Sequence, residues 1–517
     1  MEASGTIRWE RGKAYFCAGE GALRVPMSMH RDNRERLLEG LRRRSEVPGS
    51  AVVYLEGGEE RSVYDTDTVW DFKQESNFQY LFGVKEPGCR AALRVSDGRS
   101  VLFVPNYPPS YAAWMGPIKP LAWFQRAYEV DEARFVELAG GGEGGSEEAA
   151  KVVSSELEAS CLLVLDGTNR DSGLQPKRPD LAGFEVPVST EGSRALWEEL
   201  AEARVVKSPD EVKLLQFAND VSSHAHVELM RGRVGLGGSR EYLAEAAFRY
   251  QAALRGCSRV GYTCICPTGP RNAFLHYGHA AEPNSEPVGE GSLTLRDMGA
   301  EYHCYTADVT CTYPVSGRFT EPQRQVYEAV WAATLAVERT IRPGVCYKDM
   351  HRLAQRTLLV EMEKAGLLVG DVEEMVRAEV AGIFMFHGLG HGLGLDVHDV
   401  GGYEPGLGRD PAIKQNLRLG RRLKEGMVIT VEPGFYFSDL LLEEALADPE
   451  RAKFLNRARL EELRPVGGVR IEDDVVITAT GCRVLTNVPR TVAEIEAVMD
   501  GQPWPVGPCT CREYVNC

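Results

Sequence analysis

Three histidines stand among glycines in the segment MFHGLGHGLGLDVHD, residues 385–399. They are His387, His391 and His398, and imidazole can ligate a metal, donate a hydrogen bond or move a proton near neutral pH. The glycines disfavour a helix, so His387 and His391 are not the paired ligands of a helical HExxH motif. Glycine instead permits close backbone approach and unusual φ angles, so one imidazole could ligate while another faces a substrate.

Four carboxylates lie in short apolar segments that are typical of buried strands. Asp297 and Asp308 occur in SLTLRDMGAEYHCYTADVTCTYPV, which predicts two strands joined by a turn at residues 299–301. Glu432 ends the strand of GMVITVEPGFYF, and Glu472 lies in the middle of the strand GGVRIEDDVVITATG. An ionised carboxylate in such a sheet is costly unless a cation or a hydrogen-bond donor compensates it.

Each of these residues has a simpler interpretation when it is taken alone. A single aspartate more often caps a turn or pairs with an arginine such as Arg296, and a single glutamate more often faces water at an edge. A single histidine is more often a structural residue. Four carboxylates together with three histidines favour a metal site, since oxygen-rich ligation with one imidazole suits divalent Mn, Co or Zn.

Composition limits the possible classes of protein. A chain of 517 residues predicts two domains, and 43% hydrophobic with 26% charged residues is typical of a soluble globular protein. A formal charge of -16 argues against a nucleic-acid partner or an anionic membrane surface. No apolar run has the length of a membrane span, and the N-terminus lacks a signal peptide, which together predict a cytoplasmic location.

The sequence has 13 cysteines, an odd number, and they lack the regular spacing of a disulfide framework. This pattern predicts reduced thiols. Cys509, Cys511 and Cys517 crowd the tail and could form a metal or redox cluster. The short tail offers no second ligand pair, so a frayed terminus is the favoured interpretation.

Two domains and a tail follow from the pattern of elements. In residues 1–195, the runs SAVVYLEGG, RSVLFVPNYPP and CLLVLDG predict strands that alternate with helices, which indicates a small α/β domain. Residues 196–500 alternate helices with strand pairs, which predicts an α+β domain. Residues 501–517 are the tail.

Two helix starts in the second domain carry clear sequence signals. Ser208 can cap a long helix, with Pro209 at its first position and Glu211 closing a capping box. A second helix is predicted to begin after Thr320 by the same device and to stop at Gly344.

The ordered set Asp297, Asp308, His391, Glu432 and Glu472 resembles the ligand series of the pita-bread metallopeptidases, and within them the prolidase (Xaa-Pro dipeptidase) branch. The surrounding motifs LHYGH, DMGAEY, ADVTCTYP, HGLGHGLGLDVHDVGGY, TVEPGFYF and GVRIEDDVV carry the resemblance. QESNFQYLFGVKEPGC and AAWMGPIK extend it to the first domain. The resemblance implies an N-terminal α/β domain followed by a C-terminal pita-bread catalytic domain.

The resemblance also implies two divalent metal ions, typically manganese, with cobalt or zinc as alternatives. Asp297 would ligate one ion, Asp308 and Glu472 would bridge both, and His391 and Glu432 would complete the other. A hydroxide held between the ions would attack the carbonyl of an Xaa-Pro bond. Glu432 would take the proton and deliver it to the leaving nitrogen, releasing C-terminal proline or hydroxyproline.

Substrate contacts are implied in the same way. His387 or His398 would donate to the oxyanion or orient the scissile carbonyl. His276 of LHYGH and Arg418 of NLRLGRR would bind the free carboxylate of a dipeptide, with His398 as a further contact. Without the resemblance, Arg418 is more simply one of several solvated arginines in RLGRR.

Two positions depart from the family pattern. Ala300 stands where a second glycine is expected, and Phe386 stands where a proline is common before the first histidine. Both positions flank ligands, so they bear on rate or loop rigidity more than on metal binding.

Three functions compete at this point: a prolidase, an aminopeptidase P that takes longer peptides, and a catalytically silent pita-bread binding module. The silent module predicts lost ligands, and the whole set is present. The insert SDLLLEEALADPERAKFLNRARLEEL resembles prolidase and favours the first function over the second. In resembling enzymes the first domain covers a partner's active site, so a homodimer is expected.

Overall fold

The computed structural model describes four stretches of the chain, residues 6–137, 146–279, 283–505 and 513–515. The chain divides into two units, Met1–Arg204 and Val205–Cys517. The division falls within the helix Thr190–Val205, which also runs through the boundary predicted between residues 195 and 196. Among the described residues, no helix is both long and apolar enough to cross a lipid bilayer.

The first unit alternates short strands with helices. Its strands are β1 (Ile7–Glu10), β2 (Lys13–Phe16), β3 (Val25–Pro26), β4 (Ala51–Glu56), β5 (Arg90–Arg94), β6 (Ser100–Asn106), β7 (Glu132–Glu137) and β8 (Cys161–Leu163). Its helices are α1 (Ser28–Leu41), α2 (Ser76–Phe82), α3 (Ala112–Met115), α4 (Leu121–Tyr128), α5 (Glu147–Lys151) and α6 (Thr190–Val205).

A mixed sheet with the order β7-β6-β5-β4-β8 forms the core of the first unit. β6 and β7 are parallel, as are β4 and β8, whereas β5 is antiparallel to both of its neighbours. Val52, Phe103 and Leu162 from three of these strands are fully buried in one apolar cluster. The predicted strands in SAVVYLEGG, RSVLFVPNYPP and CLLVLDG are confirmed as β4, β6 and β8.

The second unit combines long helices with short antiparallel strands. Its strands are β9 (Arg259–Val260), β10 (Leu293–Asp297), β11 (Ala300–Tyr302), β12 (Tyr305–Thr306), β13 (Thr310–Pro314), β14 (Val428–Val431), β15 (Gly434–Tyr436), β16 (Gly468–Arg470), β17 (Asp473–Ile477), β18 (Gly481–Val484) and β19 (Glu513–Val515). Its helices are α7 (Pro209–Gly232), α8 (Tyr242–Ala253), α9 (Glu321–Glu338), α10 (Tyr347–Lys364), α11 (Val372–Arg377), α12 (Ala381–Phe384), α13 (Asp439–Ala447), α14 (Pro449–Ala452), α15 (Arg457–Leu463) and α16 (Val492–Met499).

The strands of the second unit form small sheets beneath packed helices. The sheet orders are β14-β17-β18-β19, β12-β11-β9, β10-β13 and β15-β16. α9 packs against α10, and α7 packs against α8 and α16. Val330 of α9, Leu358 of α10 and Ile429 of β14 are buried in one extended apolar core, which gives the short strands a rigid support.

Both predicted helix starts are confirmed, but one predicted stop is wrong. α7 begins after Ser208 and α9 begins after Thr320, each with a complete capping box. α9 ends at Glu338 rather than at Gly344. Pro343 has no N–H and disfavours helical backbone before it, so the helix ends earlier and Gly344 adopts a φ of +87° in the following turn.

The turn predicted at residues 299–301 is wrong. Most of that stretch belongs to β11, which pairs with β9 and β12. The chain reverses instead at His303 and Cys304, whose φ angles of 50° and 69° are those of a two-residue hairpin loop. The pairing of β10 with β13 sets Asp297 opposite Thr310.

The two glutamates lie at breaks in strand pairing. The sequence predicts Glu472 in the middle of a strand, but the structure places it between β16 and β17. There the pairing partner changes from β15 to β14, and Glu432 lies at the matching break between β14 and β15. Pro433 has no N–H to continue the ladder, which explains the break on that side.

Part of the predicted tail is ordered into the sheet. Residues 513–515 form β19, which pairs antiparallel with β18, so the expectation of a frayed terminus is wrong for this stretch. Cys509, Cys511 and Cys517 lie outside the described residues.

Candidate metal centre

A cavity of about 290 Å³ in the second unit is lined by every residue that the sequence singles out for the site. Those residues are Asp297, Asp308, His391, Glu432, Glu472, His276, His387, His398 and Arg418. The structure therefore brings together side chains that are far apart in the sequence.

Strand ends position the four carboxylates. Asp297 is the last residue of β10, and Asp308 precedes β13, the strand that pairs with β10. Glu432 and Glu472 lie at the adjoining breaks of the second hairpin system. These strand ends meet at the cavity, and all four carboxylates line it.

Glycines let the histidine segment lie directly on β14. His391 N–H donates to Thr430 Oγ1 at 3.0 Å, and Thr430 N–H donates to His391 O at 3.0 Å. A Cβ on Gly390 would lie only 2.4 Å from Thr430 O. The segment is not helical and the expected close approach is confirmed, but the expectation of unusual φ is wrong for Gly388 and Gly390.

We expect Gly390→Ala to destabilise the chain by about 1–3 kcal/mol, because an added methyl must displace the β14 backbone. The displacement should also lower metal content. Gly392→Ala is the matched control, since its Cβ would meet nothing closer than 3.8 Å. Thermal unfolding and metal analysis of both variants measure the effect, and equal behaviour of the two would contradict the close-packing account.

His391 presents one nitrogen to the carboxylates. Its Nδ1 lies 3.0 Å from Gly392 O and donates to it, so Nε2 carries the lone pair. Nε2 lies 3.4 Å from Asp308 Oδ2 and 3.4 Å from Glu432 Oε1. A lone pair that faces two carboxylate oxygens is repelled by them unless a proton or a cation lies between, so this geometry suits metal ligation.

The electrostatics of the carboxylates also suit bound cations. Burial raises the pKa of Glu432 to about 7, an effect that His391 opposes and Asp308 reinforces. Burial and the neighbouring acids raise the pKa values of Asp308 and Glu472 well above their usual range. Asp297 Oδ1 is buried and has no hydrogen-bond partner in the part of the chain that the structure describes. Divalent cations would compensate all of these groups.

The ligand atoms are close enough to share metals. One ligand atom from each of Asp308, His391 and Glu472 lies within 4.8 Å of the others, and all three residues are buried. Thr310 Oγ1 donates to Glu472 Oε2 at 2.6 Å and orients that carboxylate.

Sequence reasoning missed Arg470, a buried residue of β16. Its Nη2 donates to Asp297 Oδ2 at 2.5 Å, its Nη1 donates to Tyr436 Oη at 3.0 Å, and its Nε donates to Thr310 Oγ1 at 3.1 Å. Arg470 therefore holds one oxygen of Asp297 and supports the threonine that orients Glu472. The available signal was an arginine in an apolar strand, two residues before a candidate ligand.

The simpler interpretation allowed Arg296 to pair with Asp297 or Asp308, but it pairs with neither. Its guanidinium donates to the main-chain carbonyls of Cys266 and Gly235. The ion pair of Asp297 is with Arg470 instead.

The two histidines that flank the candidate ligands differ in how many hydrogen bonds their rings already make. His387 Nδ1 donates to Gly388 O at 2.7 Å, and its Nε2 lies 3.0 Å from Tyr436 Oη. His398 makes no hydrogen bond within the described chain, and its ring centroid lies 4.6 Å from that of His391. Burial lowers the pKa of His387 to about 3 and that of His398 to about 2, so both rings are neutral.

A buried ion pair fixes the end of the histidine segment. Lys207 Nζ lies 2.8 Å from Asp399 Oδ2, and both side chains are buried. Asp399 N–H also donates to Gly392 O at 2.9 Å, which closes the loop between His391 and His398.

Comparison with known proteins gives a family for both units. Residues 213–479 match the model of metallopeptidase family M24, and residues 30–139 match that of the aminopeptidase P N-terminal domain. The chain is 46% identical to the Xaa-Pro dipeptidase of Homo sapiens over 493 residues, 94% of this chain and 96% of the relative. It is 33% identical to a probable Xaa-Pro aminopeptidase of Talaromyces marneffei, over 90% of this chain and 96% of that relative.

A solved structure supports the same grouping. Aminopeptidase PepP of Pseudomonas aeruginosa matches with a TM-score of 0.72 and 29% sequence identity, covering 92% of this chain and 98% of that chain. The expected α+β architecture, an N-terminal α/β domain before a pita-bread catalytic domain, is confirmed, as is the resemblance to Xaa-Pro dipeptidases. This chain belongs to metallopeptidase family M24.

Proposed function

We propose that this chain is a metal-dependent dipeptidase that hydrolyses Xaa-Pro dipeptides and releases C-terminal proline or hydroxyproline. The observation that carries the proposal is a single cavity that joins a carboxylate–histidine metal set to Arg418 and His276. The metal set serves the scissile carbonyl, and the arginine suits the free carboxylate that a C-terminal proline, as in an Xaa-Pro dipeptide, has beside that bond. The 46% identity to human Xaa-Pro dipeptidase supports the same activity.

Two divalent cations are the proposed cofactors, with manganese as the first choice. Oxygen-rich ligation with one imidazole suits Mn, and also Co or Zn. When bound, such cations lower the pKa of a water and polarise a carbonyl. The residues that would hold them are Asp297, Asp308, His391, Glu432 and Glu472.

Glu432 is the proposed proton carrier. Its carboxylate lies 3.4 Å from His391 and accepts from Thr430 Oγ1 at 3.3 Å, so it is held at the edge of the metal set. It would take a proton from the attacking water and give it to the proline nitrogen, which must be protonated to leave.

His398 is the proposed contact for the scissile carbonyl oxygen. Its neutral ring has one N–H, and no described residue accepts a hydrogen bond from it. His387 has a supporting role in this proposal, since its Nδ1–H is already donated to Gly388 O and its Nε2 faces Tyr436.

The function is tested by comparing Gly-Pro with Gly-Pro-amide and Gly-Pro-Gly on the manganese-loaded chain. Because the last two lack a free proline carboxylate, kcat/KM should be higher for Gly-Pro by about 10²-fold or more. An aminopeptidase P activity is the second candidate, favoured by the similarity to aminopeptidase PepP. Equal rates on all three peptides would support that second function and contradict the first.

A homodimer is also proposed, and an exposed apolar segment of the first unit supports it. Trp114 is 86% exposed and Met115 is 71% exposed, and such patches commonly mark protein interfaces. Sedimentation velocity should show a dimer at micromolar concentration, and Trp114→Glu should shift it to a monomer. Leu440→Glu is the control, because Leu440 is similarly exposed but lies in the second unit. A wild-type monomer would contradict the proposal.

A further inference from the structure

A second cavity of about 290 Å³ in the second unit shares no lining residue with the metal centre. Residues of α10, α11 and α12 line it, together with residues 412–415. Four cationic side chains stand around it, namely Arg352, Arg356, Arg377 and Lys414. The charge of this lining indicates an anionic ligand group.

His351 of α10 lines this cavity and is only 1% exposed. Its Nε2 lies 3.4 Å from Gln415 Oε1, an acceptor, so Nε2 carries the ring hydrogen. Burial lowers the pKa of His351 to about 4, and the ring is neutral. Nδ1 has no hydrogen-bond partner among the described residues, so its buried lone pair can accept a hydrogen bond from a ligand.

Most of the surrounding cations are already paired with carboxylates. The pairs are Arg352–Asp349 at 3.1 Å, Arg356–Glu373 at 2.6 Å and Lys414–Glu379 at 2.5 Å. Arg377 makes no ion pair or hydrogen bond through its side chain within the described chain. One guanidinium is therefore available, which suits a single carboxylate better than a multiply charged anion.

Apolar residues and one acid make up most of the remaining lining. Leu359, Ala381 and Ile413 form an apolar wall, and Glu379 adds a carboxylate that can accept from an ammonium group. A Cβ on Gly382 would lie 2.6 Å from Gln415 Nε2, so the glycine gives the space that the glutamine occupies beside His351.

We infer that this cavity binds a free α-amino acid with an apolar side chain. The carboxylate of the ligand pairs with Arg377, its ammonium donates to His351 Nδ1 and Glu379, and its side chain packs on Leu359 and Ile413. This arrangement uses the unpaired guanidinium, the buried lone pair and the apolar wall together.

A short segment also connects this cavity to the cavity of the metal centre, which is the catalytic cavity of the proposed function. Gln415, the partner of His351, precedes Asn416, which forms a β-bridge with His387 and lines the catalytic cavity. A bound amino acid should therefore change KM for Gly-Pro by roughly fivefold or more. This regulatory part rests on the proposed function, because a free amino acid is what that reaction releases.

Calorimetry on the metal-loaded full chain tests the binding with L-leucine as the probe. Two analogues each lack one recognised group: 4-methylpentanoate has no amine, and 3-methylbutylamine has no carboxylate. L-leucine should bind saturably, and each analogue should bind at least about tenfold more weakly. Equal binding of all three, or no saturable binding of L-leucine at millimolar concentration, would overturn the inference.

Variants locate the site. Arg377→Ala changes an exposed residue and should weaken L-leucine binding at least about tenfold. Arg377→Lys should recover little of that affinity, because lysine lacks the planar fork of the guanidinium. Arg324→Ala is the control, because Arg324 lies on α9 outside the cavity with its side chain 42% exposed, and this variant should bind L-leucine normally. Binding that survives Arg377→Ala but is lost in Arg418→Ala would place the amino acid in the catalytic cavity and overturn the assignment.

Kinetics separate the coupling from the binding. L-leucine should change KM for Gly-Pro in the wild-type chain and leave KM unchanged in Arg377→Ala. Calorimetric binding with an unchanged wild-type KM would refute the coupling. A chain that binds L-leucine but never cleaves Gly-Pro would refute the proposed function and uphold the binding site.

Discussion

Replacing Asp308 with alanine is expected to remove metal from the chain and to lower kcat/KM for Gly-Pro by roughly 10³-fold or more. Asp308 Oδ2 faces His391 Nε2 at 3.4 Å, and the ligand atoms of Asp308 and Glu472 lie within 4.8 Å. If Asp308 and Glu472 each bridge two cations as proposed, loss of either carboxylate would weaken both metal sites, so Glu472→Ala should behave in the same way.

Asp308→Asn separates metal loss from misfolding. Asparagine keeps the shape of the side chain but not its charge, so the variant should fold and still lose metal. Elemental analysis gives metal per chain, and circular dichroism reports the fold. If Asp308→Ala kept two metals per chain and near-normal turnover, the ligand assignment would be wrong.

The second large effect is expected from Arg418→Ala, which should lower kcat/KM for Gly-Pro about 30- to 1000-fold. This corresponds to a loss of roughly 2–4 kcal/mol of transition-state stabilisation. Arg418 lines the catalytic cavity with His276 and suits the substrate carboxylate. Metal content should not change. Gly-Pro-amide has no such carboxylate, so its slower cleavage should respond little to the same substitution.

Arg422→Ala is the matched control, because Arg422 belongs to the same RLGRR run but is exposed and donates to Gly344 O at 2.9 Å. Its kcat/KM should stay near that of the wild type. Arg418→Lys should recover only part of the loss, since an ammonium cannot pair bidentately. The carboxylate role fails if Arg418→Ala slows Gly-Pro and Gly-Pro-amide by the same factor.

Much of the site could be predicted because its chemistry conflicts with its surroundings. Asp297, Asp308 and Glu472 are acids in apolar segments of the sequence, where an uncompensated buried charge is costly, and that conflict is visible in the sequence. Arg470 lies in the same kind of strand, but a single arginine is usually solvated at an edge. Its role depends on Thr310 and Tyr436, which only the fold brings beside it.

Local signals also explain which parts of the fold could be predicted. The caps at Ser208 and Thr320 involve residues three apart, so the sequence contains the whole interaction. The hairpin at His303 and Cys304 has no glycine, and its position depends on β11 pairing with β9, a distant strand. Breaks at Glu432 and Glu472 likewise depend on a change of pairing partner, which periodicity does not report.

We propose that two cations held by these residues are required for dipeptide hydrolysis. The most direct measurement titrates the metal-free chain with manganese while bound metal and proline release from Gly-Pro are recorded on the same samples. We predict no activity without metal, a plateau at two ions per chain, and loss of activity when a chelator removes them. Full proline release from the metal-free chain would contradict a metal requirement.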